Sequence, residues 1–459
     1  MNKFFGTDGV RGVAGSELTC ELAMNIGRAA GSVLSEYYHQ KPVFIIGKDT
    51  RISSDMLESA LAAGLCSVGA SVISLGVVPT PAVAVLINKY NASAGFMISA
   101  SHNPFEYNGI KIFNKDGYKL PDEIETRIEE KIRDIIKSKN NNLDFNLKQD
   151  SEFGKVSASF DSIDEYINYI KSSIDLNNLD FKNLKIAIDC ANGSASATAK
   201  KLFDSLKIDY LIINDKPNGL NINNNCGSTH IENLCDFVIK NKCDVGFAFD
   251  GDADRCLIVD EKGQVIDGDK IIAIMSKYLK DKDLLAKNTI VVTVMSNLGL
   301  FKMAKKNNIK VETTKVGDRY VLEKMKENGY CIGGEASGHI ILLDYSTTGD
   351  GQLVAVNFLK ILKGLDQKVS ELASIMTTCP QVLINVKVKN AEKYNILEDN
   401  VILERIKEFE KELGDNGRIL LRPSGTEPLL RVMTEGVDEN QIKKIANELS
   451  NLVQERFGI

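Results

Sequence analysis

The chain has 459 residues, 43% of them hydrophobic, and sets 56 Lys and Arg against 62 Asp and Glu for a formal charge of −6. That length exceeds one ordinary core and predicts two to four domains, while the acidic balance excludes a global basic field for nucleic acid or an anionic membrane, so any phosphate site has to be local. Nine cysteines stand singly without a C-x-x-C pair, which argues against a zinc ribbon or disulfide framework; the start "MNKFFGTDGVRG" has no apolar leader and no run approaches the ~20 apolar residues of a membrane span, so the expected location is the cytoplasm.

Taken in chain order, "FGTDGVRG" holds Asp8 and Arg11 among glycines, a pattern a flexible loop would share. Helical spacing at Leu18, Leu22, Ile26 and Ala29 leads into the β-branched run "PVFIIG", after which "KDTRISSDMLESALAAGL" reads as a loop opening a helix. In "AGFMISASHNPFEYNGIKIF" an apolar run breaks at Ser99. If the chain stays extended there, Ser101 and His102 point to opposite faces, so His102 is badly placed to deprotonate its neighbour; Ser99 and Ser101 share a face, with Ser101 nearer the polar exit. A serine with no base of its own acts when it carries a phosphoryl group, because the incoming alcohol then needs the base. Lys111, ten residues further on, could be that base if a nearby cation or burial depresses its pKa, with the choice among Lys111, Arg11 and His339 left open. A plain turn at Asn103-Pro104 is the alternative.

Residues 137 to 158 are polar and asparagine-rich and mark a first boundary. The strand, turn, helix grammar returns in "LKIAIDCANGSASATAKKLF" and "NTIVVTVMSNLGLFKMAKK", which predicts three related α/β domains. The expected divisions are 1–150, 151–255, 256–368 and 369–459. In "DVGFAFDGDADRCLIVDEKG" the strand residues Val245, Phe247 and Phe249 are followed by Asp250, Asp252 and Asp254 at spacing two, on one side of an extended chain. Three crowded carboxylates repel unless a cation sits among them, and oxygen-only ligands select a hard ion such as Mg²⁺. An EF-hand needs Gly where Arg255 stands, and a solvated acidic turn is the remaining alternative.

"KVGDRYV" gives Lys315, Asp318 and Arg319 a charged helix start, and "GGEASGHI" sets Glu335, Ser337 and His339 at spacing two, a set suited to sugar hydroxyls or, for the histidine, to a structural role. Beyond residues 366 to 380 a strand "QVLINVKV", a helix at Val401–Leu413, strands at Arg418–Leu421 and Leu429–Thr434 and a terminal helix predict a small α+β domain with an antiparallel sheet. Within it, "LRPSGTEPLLRV" gathers Arg422, Ser424, Gly425, Thr426 and Arg431, the usual inventory for a phosphate dianion or a simple β-turn.

Together, "FGTDGVRG", "GKDTR", "ISASHNP" with "NGIKIF", "NINNNCGSTH", "DGDADR", "KVGDRYV", "GGEASGH", "TTGDG" and "RPSGTEP" run in this order from residue 5 to residue 428, and the chain resembles the α-D-phosphohexomutase family along essentially its whole length. The resemblance implies an α/β fold of three α/β/α domains of shared topology plus a smaller C-terminal α+β domain around a central cleft. It implies that Ser101 is the phosphorylated serine and that Asp250, Asp252 and Asp254, with an oxygen on Ser101, hold one Mg²⁺ per site. It places Arg11, Lys111 and His339 in proton transfer or charge stabilisation; Glu335 and Ser337 on the sugar; Arg422, Ser424, Gly425 and Thr426 on the distal phosphate; and His102, Arg255, Asp318 and Arg431 are further expected substrate-binding residues. The implied reaction interconverts glucosamine 6-phosphate and glucosamine 1-phosphate through a glucosamine 1,6-bisphosphate that also serves as activator, supplying amino-sugar and cell-wall precursors. The small C-terminal domain is expected to open while that intermediate turns over. Ala336 departs from the Gln common in amino-sugar mutases, which leaves mannose and glucose phosphates as alternative substrates. The other readings are an aspartyl-phosphate phosphatase on "DGDAD" and a Mg²⁺-dependent sugar-phosphate sensor. A sugar phosphate is the expected partner, without nucleic acid or membrane, and a homodimer is left open.

Overall fold

The computed structural model describes residues 4–6, 8–38, 42–137, 147–176, 179–389, 394–424 and 427–459. Much of the polar boundary stretch, residues 138–146, and the pair Gly425 and Thr426 lie outside the described residues. Two compact units result, Met1–Met295 with Ile309–Ser374, and Ser296–Asn308 with Ile375–Ile459.

The first unit opens with β1 (Phe5–Gly6), β2 (Gly9–Val13), α1 (Cys20–Tyr38), β3 (Val43–Lys48), α2 (Ser54–Ser67), β4 (Ser71–Val77), α3 (Thr80–Lys89), β5 (Ala94–Ile98), β6 (Tyr107–Asn114), α4 (Asp122–Lys137) and β7 (Val156–Ala158). They make a seven-stranded sheet in the order β1-β2-β6-β5-β3-β4-β7, parallel across β5-β3-β4 and antiparallel where β6 returns beside β5. Every residue of β5 is buried, the mark of a central strand covered on both faces. Under α1, α2 and α4, Leu18, Ile26, Leu61, Phe96 and Ile128 share one core, where Phe44 and Phe96 meet edge to face at 5.5 Å; burying each such side chain contributes roughly 1.5–3 kcal/mol.

Next come α5 (Ser162–Ser172), β8 (Lys185–Asp189), α6 (Ala195–Ser205), β9 (Asp209–Ile213), α7 (Glu232–Asn241), β10 (Val245–Phe249), β11 (Cys256–Asp260) and β12 (Val265–Ile266), in a sheet ordered β12-β11-β10-β8-β9. Strands β9, β8 and β10 are parallel, and β11 folds back antiparallel on β10 from Phe249↔Cys256 to Val245↔Asp260. The second sheet therefore continues to Ile266, past the 255/256 division expected from sequence, because the strand leaving the acidic turn pairs with the strand entering it.

A third layered group follows: α8 (Gly268–Asp281), β13 (Thr289–Thr293), α9 (Leu298–Lys306), β14 (Lys310–Thr314), α10 (Asp318–Asn328), β15 (Ile332–Gly334), β16 (Ile340–Leu342), α11 (Gly351–Leu365) and α12 (Val369–Ala373), with sheet order β14-β13-β15-β16. Helix α11 is buried along most of its length, as a helix apolar on nearly every face must be. Residues 369–374 belong to the first unit, where α12 packs with α8, so the C-terminal unit starts later than residue 369.

The second unit contains β17 (Gln381–Lys387), α13 (Asn400–Leu413), β18 (Gly417–Pro423), β19 (Leu429–Gly436) and α14 (Glu439–Phe457), together with α9. Its sheet is antiparallel in the order β17-β19-β18. Phe409, Leu430, Val432, Ile445 and Leu449 form its own core. The asparagine before α9 is fastened here, its side chain donating to Cys379 O and accepting from Cys379 N at 3.0 and 2.9 Å.

Candidate active site

Strand β5 ends at Ile98, and the chain leaves extended geometry before the serine: Ser101 has φ +53°, a left-handed turn conformation. The extended alternation expected from sequence therefore does not reach Ser101 and His102. Ser101 is buried and its hydroxyl donates to Asp250 Oδ2 at 2.7 Å. His102 instead lies against Arg255, Nη1 to Nδ1 3.1 Å. Burial, followed by the charges of Arg255 and Arg11, depresses its pKa to about 4, so it is neutral near pH 7 and accepts from the guanidinium.

Asp250, Asp252 and Asp254 occupy the six-residue connection between β10 and β11, where Ala253 takes φ +54° and its N–H bonds back to Asp250 O. A turn, not strand alternation, brings the three carboxylates together, with one oxygen from each within 4.8 Å of the others. All three are buried. Burial raises the Asp250 pKa well above the usual carboxylate range, reinforced by Asp254 and Asp252. Burial also works to raise Asp254, but Lys111 and His339 outweigh it and hold that carboxyl low. Among the described residues no hydrogen-bond donor reaches Asp252 Oδ1 or Asp254 Oδ1. Buried carboxylate oxygens left without donors are costly, and three oxygen ligands of this kind fit a hard divalent cation.

The nearby cations come from several elements. Lys111 on β6 is 3% exposed and places Nζ 2.9 Å from Asp252, 3.2 Å from Asp8 and 3.6 Å from Asp254. The expectation of a depressed lysine pKa is corrected here: burial pulls it down, but Asp252, Asp8 and Asp254 outweigh burial and raise it. Asp8 also pairs with Arg11 and, at 2.7 Å, with Lys119, whose Nζ reaches Asp318 at 2.7 Å at the start of α10. His339 lies 3.6 Å from Asp254 and 3.5 Å from Asp318; although burial opposes it, Asp254 and Asp318 lift its pKa to about 9.

Glu335, Ser337 and His339 form the turn between β15 and β16, closed by Gly338 N to Glu335 O and Glu335 N to His339 O. The shared strand face expected for them is absent: His339 is buried, Glu335 partly buried with Oε1 on Gly317 N at 3.0 Å, and Ser337 exposed. Arg255 Nε stands 3.9 Å from both Asp250 Oδ2 and Asp254 Oδ1. Arg11 is exposed at the rim. Lys315 and Arg319 flank the α10 start, Arg319 engaging Glu323 at 2.9 Å.

Residues that the sequence reading passed over complete the cluster. Thr80, first residue of α3, donates its hydroxyl to Asp252 Oδ2 at 2.7 Å and its N–H to Asp252 O at 2.9 Å. Lys119 had no motif to announce it. Asp49 and Arg51 were visible in "GKDTR", with no partner in sequence to give them a task.

In the second unit Arg422 on β18 faces Arg431 on β19 across the ladder. Two like charges directly opposite repel each other. Arg431 pairs with Glu427 at 3.6 Å, and Ser424 Oγ accepts Glu427 N at 3.2 Å. Gly425 and Thr426, also expected on the phosphate, lie outside the described residues.

Domain models described as phosphoglucomutase/phosphomannomutase match in chain order: α/β/α domain I over residues 2–139, domain II over 164–263, domain III over 267–379 and the C-terminal domain over 383–452. A phosphoglucosamine mutase of Ruminiclostridium cellulolyticum is 53% identical over 462 residues, and one of Caldicellulosiruptor saccharolyticus 55% identical over 467, each covering 100% of both chains. The solved phosphoglucomutase/phosphomannomutase family protein of Burkholderia thailandensis superposes with TM-score 0.80 at 23% identity, covering 100% of this chain and 99% of its own. With its four matched domains and full-length relatives, the chain belongs to the phosphoglucomutase/phosphomannomutase family, as its resemblance to the α-D-phosphohexomutases implied.

Proposed function

We propose that this protein is an isomerase-type phosphotransferase that interconverts glucosamine 6-phosphate and glucosamine 1-phosphate through a phosphoserine enzyme. The observation that carries the reading is the Ser101 hydroxyl on Asp250, at the edge of three buried carboxylates with two oxygens lacking donors. Full-length relatives named phosphoglucosamine mutase support the choice of sugar. Asp250, Asp252 and Asp254 would hold Mg²⁺ together with an oxygen on Ser101; when bound, the ion neutralises charge on the transferring phosphoryl group.

In the first half-reaction the Ser101 Oγ–P bond breaks as the sugar 1-hydroxyl forms its own bond to phosphorus and gives up its proton. In the second, the bond from phosphorus to the sugar 6-oxygen breaks, Ser101 takes that phosphoryl group, and the departing oxygen gains a proton. The group that removes the first proton can return the second. Lys111 rests as an ammonium held by Asp252 and Asp8 and His339, its pKa raised to about 9, as an imidazolium, so whichever of them serves first loses its proton to solvent, then takes the one from the 1-hydroxyl and gives it to the departing 6-oxygen. Arg11 and Arg255 add positive charge, and His102, Asp318, Glu335 and Ser337 offer polar groups to the sugar. The distal phosphate is assigned to Arg422, Ser424, Gly425, Thr426 and Arg431, of which Gly425 and Thr426 lie outside the described residues, the facing Arg422 and Arg431 being the observation in favour. Nine free cysteines fit a cytoplasmic setting.

The test is turnover of glucosamine, mannose and glucose 6-phosphates by the Mg²⁺-loaded protein, with intact mass read before and after glucose 1,6-bisphosphate. Fastest turnover of the glucosamine ester and one phosphoryl adduct on Ser101 are expected. A preference for glucose 6-phosphate would overturn the sugar assignment, and the absence of any adduct would overturn the mechanism.

A further inference from the structure

Arg51 stands in the "GKDTR" segment that the proposed chemistry leaves without a task. It is 2% exposed, and its guanidinium is used completely. Nε donates to Asp49 Oδ2 at 2.8 Å; Nη1 donates to Pro104 O and, at 3.0 Å, to Tyr107 O; Nη2 donates to Ser101 O at 2.9 Å and Asn103 O at 2.8 Å. Guanidinium has five N–H donors in a fixed plane, and here each one has an acceptor. Four of the five are carbonyls of the loop that carries Ser101. From the other side, Asn223 Nδ2 donates to two of the same carbonyls, Ser101 O at 2.9 Å and Asn103 O at 3.0 Å.

The support beneath is equally specified. Asp49 Oδ2 also accepts the Ser99 hydroxyl at 2.7 Å, and Ser99 Oγ accepts the Ser101 N–H at 2.9 Å. Thr50 ties the same segment to Asn192 O at 2.6 Å. The Asp49 carboxylate neutralises Arg51 within the buried pair, so the arginine's effect on Ser101 is geometric more than electrostatic.

We propose that Arg51, with the Asn223 amide opposite it, is a positioning residue for phosphoryl transfer: the two fix the backbone from Ser101 to Tyr107 in its left-handed turn and so keep Oγ on the Asp250 side of the cage. In-line transfer depends on placement of a few tenths of an ångström, and a displacement of about 1 Å costs ~100-fold in rate. Lysine at this position brings three donors from a single point and cannot span four carbonyls. The proposal rests on Ser101 being the phosphoryl carrier.

The experiment compares wild type, Arg51→Lys and Asn223→Ala for kcat, KM, thermal midpoint and Mg²⁺ affinity before and after phosphorylation with glucose 1,6-bisphosphate. For Arg51→Lys, kcat is expected to fall by ~100-fold with KM within about twofold. Phosphoserine-dependent tightening of Mg²⁺ should shrink, while Mg²⁺ affinity of the unphosphorylated form stays constant. A purely structural role would lower the thermal midpoint yet leave kcat per folded molecule and that tightening intact, and this would overturn the proposal. Should Arg51→Lys fail to fold, Asn223→Ala gives the same readout with an expected loss of about tenfold, since it removes two carbonyl contacts without orphaning a charge. A wild type that never acquires phosphoserine overturns the underlying reading, and the proposal with it; active wild type beside variants with kcat within threefold overturns the proposal alone.

Discussion

Gly251 sits between the first two Asp residues of the cage, and a Cβ there would lie 2.5 Å from Ser101 O, 2.8 Å from Asn223 Nδ2 and 2.8 Å from Ile222 Cδ1. Real Cβ atoms essentially never come within 3.0 Å and ordinary contact begins at 3.4 Å, so Gly251→Ala must force the two loops apart by about 0.5–0.9 Å. The carbonyl cannot simply yield, because Arg51 and Asn223 both hold it. Overpacking of this kind costs about 1–3 kcal/mol of stability. Carried to the Ser101 hydroxyl, a shift of about 1 Å costs ~100-fold in kcat, equivalent to about 2.7 kcal/mol of barrier. Steady-state kinetics with glucosamine 6-phosphate at saturating Mg²⁺, alongside a thermal melt, measures both. Folded Gly251→Ala protein with kcat within threefold of wild type would refute the inference that the serine loop and the acidic turn are packed to fixed separation.

Thr80→Val removes the hydroxyl that orients Asp252, and by analogy with other ligand-supporting hydrogen bonds should weaken Mg²⁺ binding ~10–100-fold; calorimetric titration of metal into metal-free protein checks it, and an unchanged Kd would count against the assigned ligand set. Arg422→Ala should raise KM for the sugar phosphate by roughly tenfold or more, as expected for losing a charge-assisted phosphate contact, with a smaller change in kcat; an unchanged KM would remove that arginine from the phosphate site. In metal-free protein, His339 has its pKa raised to about 9, so its contribution to stability is fully present below the unfolded value of about 6.5 and is lost as pH rises through about 9. Denaturant unfolding should therefore show stability falling across that window by no more than about 3 kcal/mol, and His339→Gln should flatten the fall; a wild-type profile as flat as the variant's would contradict the assigned pairings.

The elements were legible because periodicity and β-branched runs are local: "PVFIIG" became β3, "DVGFAF" became β10, and the C-terminal strands fell within one to a few residues of expectation. Ser101 and the Asp trio, singled out in the sequence, do lie together, although by a geometry that sequence spacing misstates. Residues at i and i+2 share a face only where a strand continues through them, whereas the strands before Ser101, Asp254 and His339 each stop short and a turn does the gathering. Turns depend on contacts made far along the chain, which is why the acidic residues around Lys111 were unseen and its pKa was expected to move the other way. Asp8 stands 103 residues before it and Asp252 141 residues beyond it. Thr80 and Lys119 carry no local signature, and Asn223, although inside "NINNNCGSTH", has no partner nearby in sequence; their contacts come only from where distant elements set them.

The most direct measurement is a single turnover: phosphorylated protein, freed of excess sugar bisphosphate, is mixed with glucosamine 6-phosphate and Mg²⁺, quenched at intervals, and the phosphate on its Ser101 peptide is quantified by mass spectrometry. The account predicts that this peptide loses its phosphoryl group no more slowly than product forms and regains it as the cycle closes. Product appearing at the full rate while Ser101 stays unmodified, or from Ser101→Ala protein, would contradict it.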